Sequence, residues 1–181
     1  MRHTTANLGR RMLRNLTEMC RSYSCPMATP DFVLALREKI GTAPLWLSGV
    51  TAVVLRDNEV LLVRRSDNGA WTPVTGIIDP GEEPAVAAVR ETLEEADIVA
   101  VAERLVWVHV IDPITYPNGD ESQYLDIVFR LRWESGTPHP ADGENTDAAW
   151  FPLDALPEMD NDMRARMQAA VDNDLEARFV A

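Results

Sequence analysis

Three glutamates, Glu91, Glu94 and Glu95, stand at spacings that bring carboxylates together on one side of a helix. Like charges so placed destabilise a helix by about 0.2–0.5 kcal/mol per pair. A bound hard cation reverses that sign, because magnesium takes several oxygen ligands and keeps water for the rest. Arg90, four residues before Glu94, is placed to orient it. On the same stretch Val86, Val89, Leu93 and Ala96 fall at i, i+3, i+7 and i+10, which predicts a helix over 84–96 packed by that stripe, with the glutamates nearly opposite. An acidic helix face can also be simply solvated. What surrounds the acids decides between the two.

Residues 76–98 read GIIDPGEEPAVAAVRETLEEADI. This segment resembles the box of the Nudix hydrolases: Gly, five residues, Glu, seven residues, then Arg-Glu-apolar-x-Glu-Glu-x-Gly-apolar. Gly76, Glu82, Arg90, Glu91, Glu94, Glu95 and Ile98 all fall in register. Two positions depart. Thr92 fills an apolar slot, and Asp97 replaces the final Gly that would end the helix in a left-handed conformation, which Asp also tolerates. Trp71-x-Pro73 matches the family's usual lead-in.

The resemblance implies an α+β fold, a Nudix-type αβα sandwich with a mixed sheet, in which the box forms a loop–helix–loop. It implies magnesium, with manganese as a substitute, held by Glu91, Glu94 and Glu95 and by the carbonyl of Gly76. Glu82 would support the site and Arg90 would hold the glutamates. The implied reaction is magnesium-dependent hydrolysis of the diphosphate linkage in a nucleoside diphosphate derivative, of ADP-ribose or nucleotide-sugar type or a (d)NTP, releasing a nucleoside monophosphate. Metal neutralises the diphosphate and lowers the pKa of a bound water, and a carboxylate takes the proton. Glu91 and Glu94 are candidates for that base, as are two loop acids, Glu121 and Glu144. A glutamate at the distance of Glu144 before Trp150 resembles the extra metal ligand of triphosphate-cleaving members. Arg65 is placed to grip phosphate, Trp71 to stack on a base or fill the core, and Asp126 to accept hydrogen bonds from a base. His109 and His139 have no partner pattern.

Those side chains need a frame. Thr29-Pro30-Asp31 reads as a helix start and Gly41 as its stop, giving a helix over 31–40. Strands are expected over 49–55 and 60–63 around an Asp57-Asn58 turn, then 71–75, 99–111, 124–133 and 149–153, with a last helix over 160–173. Pro117-Asn118-Gly119-Asp120 is a turn. On residues 124–130, Leu125, Ile127 and Phe129 form a core face, leaving Tyr124, Asp126, Val128 and Arg130 to solvent or a substrate groove.

The 181 residues fit one domain over 28–181 behind an extension, 1–27, expected to be disordered. Net charge is −12, but five arginines and one acid in 1–27 give that part +4, so the remainder carries −16. A body so acidic argues against a nucleic-acid polymer as partner and permits a small phosphate ester only through a bridging cation. No apolar run reaches membrane-spanning length. Cys20 and Cys25 make neither a disulfide framework nor a zinc site, so the expected setting is cytoplasmic. A homodimer is compatible with the resemblance. An isopentenyl diphosphate isomerase reading needs a cysteine that the body lacks. A catalytically silent nucleotide-binding module fits poorly, because the box keeps its acids.

Overall fold

The computed structural model describes residues 29–172 and 174–180, so the expected extension over 1–27 lies outside the described residues. The elements are α1 (Asp31–Ile40), β1 (Leu45–Arg56), β2 (Glu59–Arg65), β3 (Trp71–Thr72), β4 (Val74–Ile77), α2 (Pro84–Ala96), β5 (Val99–Val110), β6 (Ile114–Thr115), β7 (Glu121–Ser135), β8 (Asn145–Pro152) and α3 (Asn161–Val171). One mixed sheet runs β3-β2-β1-β7-β5, with β4 beside β1, β6 beside β7 and β8 beside β2. The β1–β7 pair is parallel along 45–55, and the remaining pairs are antiparallel.

Period-2 alternation splits β1 and β2 between two cores. Val50, Ala52, Val54, Leu61 and Val63 pack with Ala87, Ala88 and Ala96 of α2 on one face. Val53, Leu55, Val60 and Leu62 pack with Met167, Ala169 and Ala170 of α3 on the other. The result is the expected αβα sandwich, with a sheet hydrophobic on both faces.

Several expectations need correction. The first helix spans 31–40 as expected, but its N-cap is Pro30 and not Thr29, with no side-chain cap bond. Residues 71–75 form two strands, because Pro73 has no N–H to donate and interrupts the ladder. The most buried positions of α2 are Ala87, Ala88, Thr92, Glu95 and Ala96, so the packing face is rotated from the Val86/Val89/Leu93 stripe. Small residues face the sheet there, letting the helix lie close to it. Asp97 does close α2 in the left-handed region, at φ 52° and ψ 37°, with its N–H on the Leu93 carbonyl. No helix among the described residues is long and apolar enough to cross a membrane.

Candidate metal centre and active site

The loop 78–83 turns the chain from β4 into α2 and lays Arg90 across the acids. Arg90 donates through Nε and Nη2 to the two oxygens of Glu82, at 2.9 and 2.8 Å. Its Nη1 donates to Glu91 and to Glu94, each at 2.9 Å, and Nη2 also reaches the Ile77 carbonyl at 3.2 Å. One guanidinium therefore fixes three carboxylates to the end of β4, a use of the planar fork that lysine could not replace. Glu82 also accepts from the Asp79 N–H at 3.2 Å, closing its own loop.

Glu91 bends back over β4. A Cβ at Gly76 would lie 2.0 Å from the Glu91 carboxyl carbon, so only glycine permits this approach. Glu95 is 4% exposed and accepts from Asn145 Nδ2 at 2.8 Å, which ties α2 to β8. Glu144, in the loop before β8, has its N–H on Asp142 and its carbonyl on the Ser66 N–H.

These acids repel one another in a poorly solvated place. Burial pushes the Glu91 carboxyl up to about 8, with Glu94 and Glu144 adding to the rise and Arg90 opposing it. Burial also raises Glu95, reinforced by Glu91, Glu144 and Asp142. Burial, then Asp142 and Glu94, raises Glu144 to about 7. Glu144, 49 residues beyond Glu95 in the chain, thus lies within charge range of the box acids. Among the described residues no three Asp, Glu, His or Cys side chains converge closely enough to hold a metal ion. Glu91 and Glu94 are turned onto Arg90, and Glu95 onto Asn145. The donor types nevertheless fit a hard divalent cation, being carboxylates and a backbone carbonyl with an unbalanced excess of negative charge.

Arg65 stands at the end of β2, bound by Asp67 through two hydrogen bonds of 3.0 and 2.6 Å and within reach of the Glu95 carboxyl and the Tyr116 phenol. Other candidates sit elsewhere. Trp71 faces the α3-side core and meets Phe151 edge-on, ring centroids 4.8 Å apart, so its bulk is packing. Glu121 stands exposed at the start of β7, its carbonyl held by Arg37 at 2.7 Å. Asp126 is 3% exposed beneath α3, where it accepts from Thr51 Oγ1 at 2.9 Å and lies 3.2 Å from both Arg166 Nη1 and His109 Nε2. It is a buried link and not a groove residue. His109 is likewise part of this cluster, stacked on Trp107 at 3.9 Å. Asn145, Thr51 and Arg166 escaped the sequence reading, since their partners lie 50 to 115 residues away.

A profile of the NUDIX domain matches residues 46–171. Over 141 residues the chain is 31% identical to a human 8-oxo-dGDP phosphatase, covering 74% of this chain and 39% of that protein. Over 113 residues it is 29% identical to an ADP-ribose pyrophosphatase of Methanocaldococcus jannaschii, covering 61% and 64%. The chain spans less than two thirds of the length of either relative. The crystal structure of a MutT NUDIX hydrolase from Burkholderia pseudomallei superposes on 69% of this chain and 98% of its own, with a TM-score of 0.55 and 27% identity.

Proposed function

The chain belongs to the NUDIX family, and from that premise we propose that it is a magnesium-dependent pyrophosphohydrolase of small nucleotide substrates. It cleaves the diphosphate linkage of a nucleoside diphosphate derivative and releases a nucleoside monophosphate. The observation that carries this reading is the Glu91 carboxyl laid against the bare Cα of Gly76, with Glu95 and Glu144 within range of its charge. An anionic pocket of this kind cannot receive a diphosphate unaided, and a divalent cation removes the conflict.

Glu91, Glu94, Glu95, Glu144 and the Gly76 carbonyl are the groups that would hold the cation. When bound, magnesium screens the phosphoryl oxygens, polarises phosphorus and makes water a better nucleophile. The chain's own residues do the rest. Arg90, anchored on Glu82 and Ile77, keeps Glu91 and Glu94 in position. Asn145 orients Glu95 by its amide. Water oxygen bonds to phosphorus, the bridging oxygen leaves with its electron pair, and the water proton passes to a carboxylate drawn from Glu91, Glu94 and Glu144. Arg65 offers a phosphate oxygen two donors if it turns from Asp67.

The test is release of phosphate from ADP-ribose, UDP-glucose, NADH, coenzyme A, dNTPs and 8-oxo-dGTP, with alkaline phosphatase added to reveal monophosphate products. Cleavage with magnesium that stops in EDTA supports the reading. Silence from folded protein across the whole panel sinks it and leaves a nucleotide-binding module, a state in keeping with box carboxylates turned onto Arg90.

A further inference from the structure

β8 reaches the carboxylate cluster one residue out of step with the rest of its own strand. Along most of the β2–β8 ladder the register is regular: Leu61 lies opposite Trp150, Val63 opposite Ala148 and Arg64 opposite Asp147. Arg65 then lies opposite Asn145, so Thr146 is an extra residue with no partner across the ladder. Directly opposite residues share a face, and Leu61, Val63, Ala148 and Trp150 all pack on the α2 side. Strict alternation from Ala148 would put Thr146 on that side and Asn145 on the α3 side. The bulge exchanges them. Thr146 is exposed, its hydroxyl on the Arg64 carbonyl at 3.3 Å. Asn145 is buried at 7% exposure, its amide on Glu95 of α2 at 2.8 Å. Arg65, across from Asn145, is within charge range of Glu95 and Glu144.

The segment leading into the bulge is stitched to the end of α2. The Glu95 carbonyl accepts from the Ala141 N–H and the Ala96 carbonyl from the His139 N–H, each at 3.2 Å. Next to Asn145, the Glu144 carbonyl accepts from the Ser66 N–H at 3.0 Å. The amide of Asn145 is thus carried on a main chain fixed at α2 and at β2, independently of the Glu95 side chain it holds.

Glu95 is a carboxylate at 4% exposure, and a buried carboxylate turns to whatever donor it finds. The Asn145 N–H occupies one oxygen and sets the plane of the carboxyl, which leaves the other oxygen for a cation. The donor is also neutral. A lysine or arginine there would compete with the cation, and another carboxylate would add to the repulsion. Partners that orient a metal ligand in this way are worth about 10–100-fold in metal affinity.

We propose that Asn145 is a positioning residue of the metal centre, and that the one-residue bulge at Thr146 is the device that delivers it to Glu95. The proposal rests on reading the box acids as a metal site. The test is manganese binding to the full chain without nucleotide, followed by the electron paramagnetic resonance of the free ion. Asn145→Leu keeps the bulk and removes the donor, and Asn145→Ala only deletes atoms. Each should weaken manganese about 10–100-fold at a temperature where the protein in EDTA is folded. Wild-type affinity in the folded variants overturns the proposal, even with a lowered melting temperature, since that is the mark of an amide that merely braces the fold. In a Glu95→Gln background Asn145→Leu should weaken manganese no further, and an equal second loss denies that Asn145 acts through Glu95. Deleting Thr146 restores plain alternation and should cost at least as much affinity as Asn145→Leu, and a folded deletion that binds as wild type does removes the bulge from the argument. Manganese bound by a wild type that cleaves no nucleotide would end the hydrolytic reading alone. Nucleotide cleavage beside unchanged affinity in the Asn145 variants would end this proposal alone.

Discussion

Two arginine-centred clusters lie on opposite faces of the sheet, and they are built from the same parts with different balances. Arg90 on α2 and Arg166 on α3 each bind an acid four residues away, Glu94 and Asp162, and each reaches across to the sheet. Under α3 the partners are few: Asp126, Thr51, Asp162 and the ring of His109 beside Asp126. On the α2 side one Arg90 faces Glu82, Glu91 and Glu94, with Glu95 and Glu144 close behind. The buried pair of the α3 cluster, Arg166 and Asp126, is matched in charge at 3–4% exposure, with Asp162 out at the surface, and its effect is to hold a helix. The α2 cluster leaves negative charge over, and burial, with the neighbouring carboxylates adding to it, pushes three of its carboxyls upward. Balance makes a strut. Imbalance leaves charge for a cation to meet.

The comparison breaks first at Glu94. Glu94→Gln should leave the thermal transition nearly unchanged while lowering magnesium-dependent turnover about 10²–10⁴-fold, the usual range for a lost catalytic carboxylate. A full rate in steady-state assay would remove Glu94 from the metal site. Arg166→Met should do the opposite. Asp126 would be left buried without its cation, at a cost of about 3–5 kcal/mol in denaturant unfolding. Adding Asp126→Asn should restore part of the loss, and strictly additive losses would show that the two residues are not coupled.

A smaller effect separates the clusters by pH. Glu91 and Glu144 have folded values of about 8 and about 7 against an unfolded 4.5. A raised carboxyl stabilises the fold fully below the unfolded value and loses that contribution as pH rises through the folded one. In EDTA the melting temperature should therefore fall between about pH 4.5 and 8, and magnesium should remove the fall, since binding then draws on the charged form. A flat profile in EDTA would deny the charge imbalance. The smallest effect is at Asp97. Asp97→Gly relieves a left-handed residue, while the looser unfolded chain offsets part of the gain, so unfolding should shift by no more than about 1 kcal/mol.

Much of the frame could be read from local signals. Both ends of α2 and of α1 follow from proline at the start and a left-handed residue at or past the end, and the structure has them at Pro84, Ala96, Asp31 and Ile40. The turn at 117–120 and the β1–β2 hairpin follow from their turn residues. β6 was missed, since two residues carry no periodicity. Alternation on β7 put Asp126 and Val128 on one face but could not say that α3 covers that face. The placing of Trp71 against Phe151 was equally out of reach, because an aromatic that stacks on a base and one that fills a core look alike in a chain.

The sequence by itself determined the box: its acids, its arginine and its glycine lie within one loop and helix, where spacing of 3.6 residues per turn already fixes who meets whom. Only the tertiary structure decided which of the remaining polar groups join that box and which brace the fold. Glu144 and Asn145 come to α2 through sheet pairing, and Asp126, His109 and Arg166 meet beneath α3 from three separate elements. The reason is physical. Local geometry acts over a few residues, whereas burial and charge balance are set by whatever the fold packs on top.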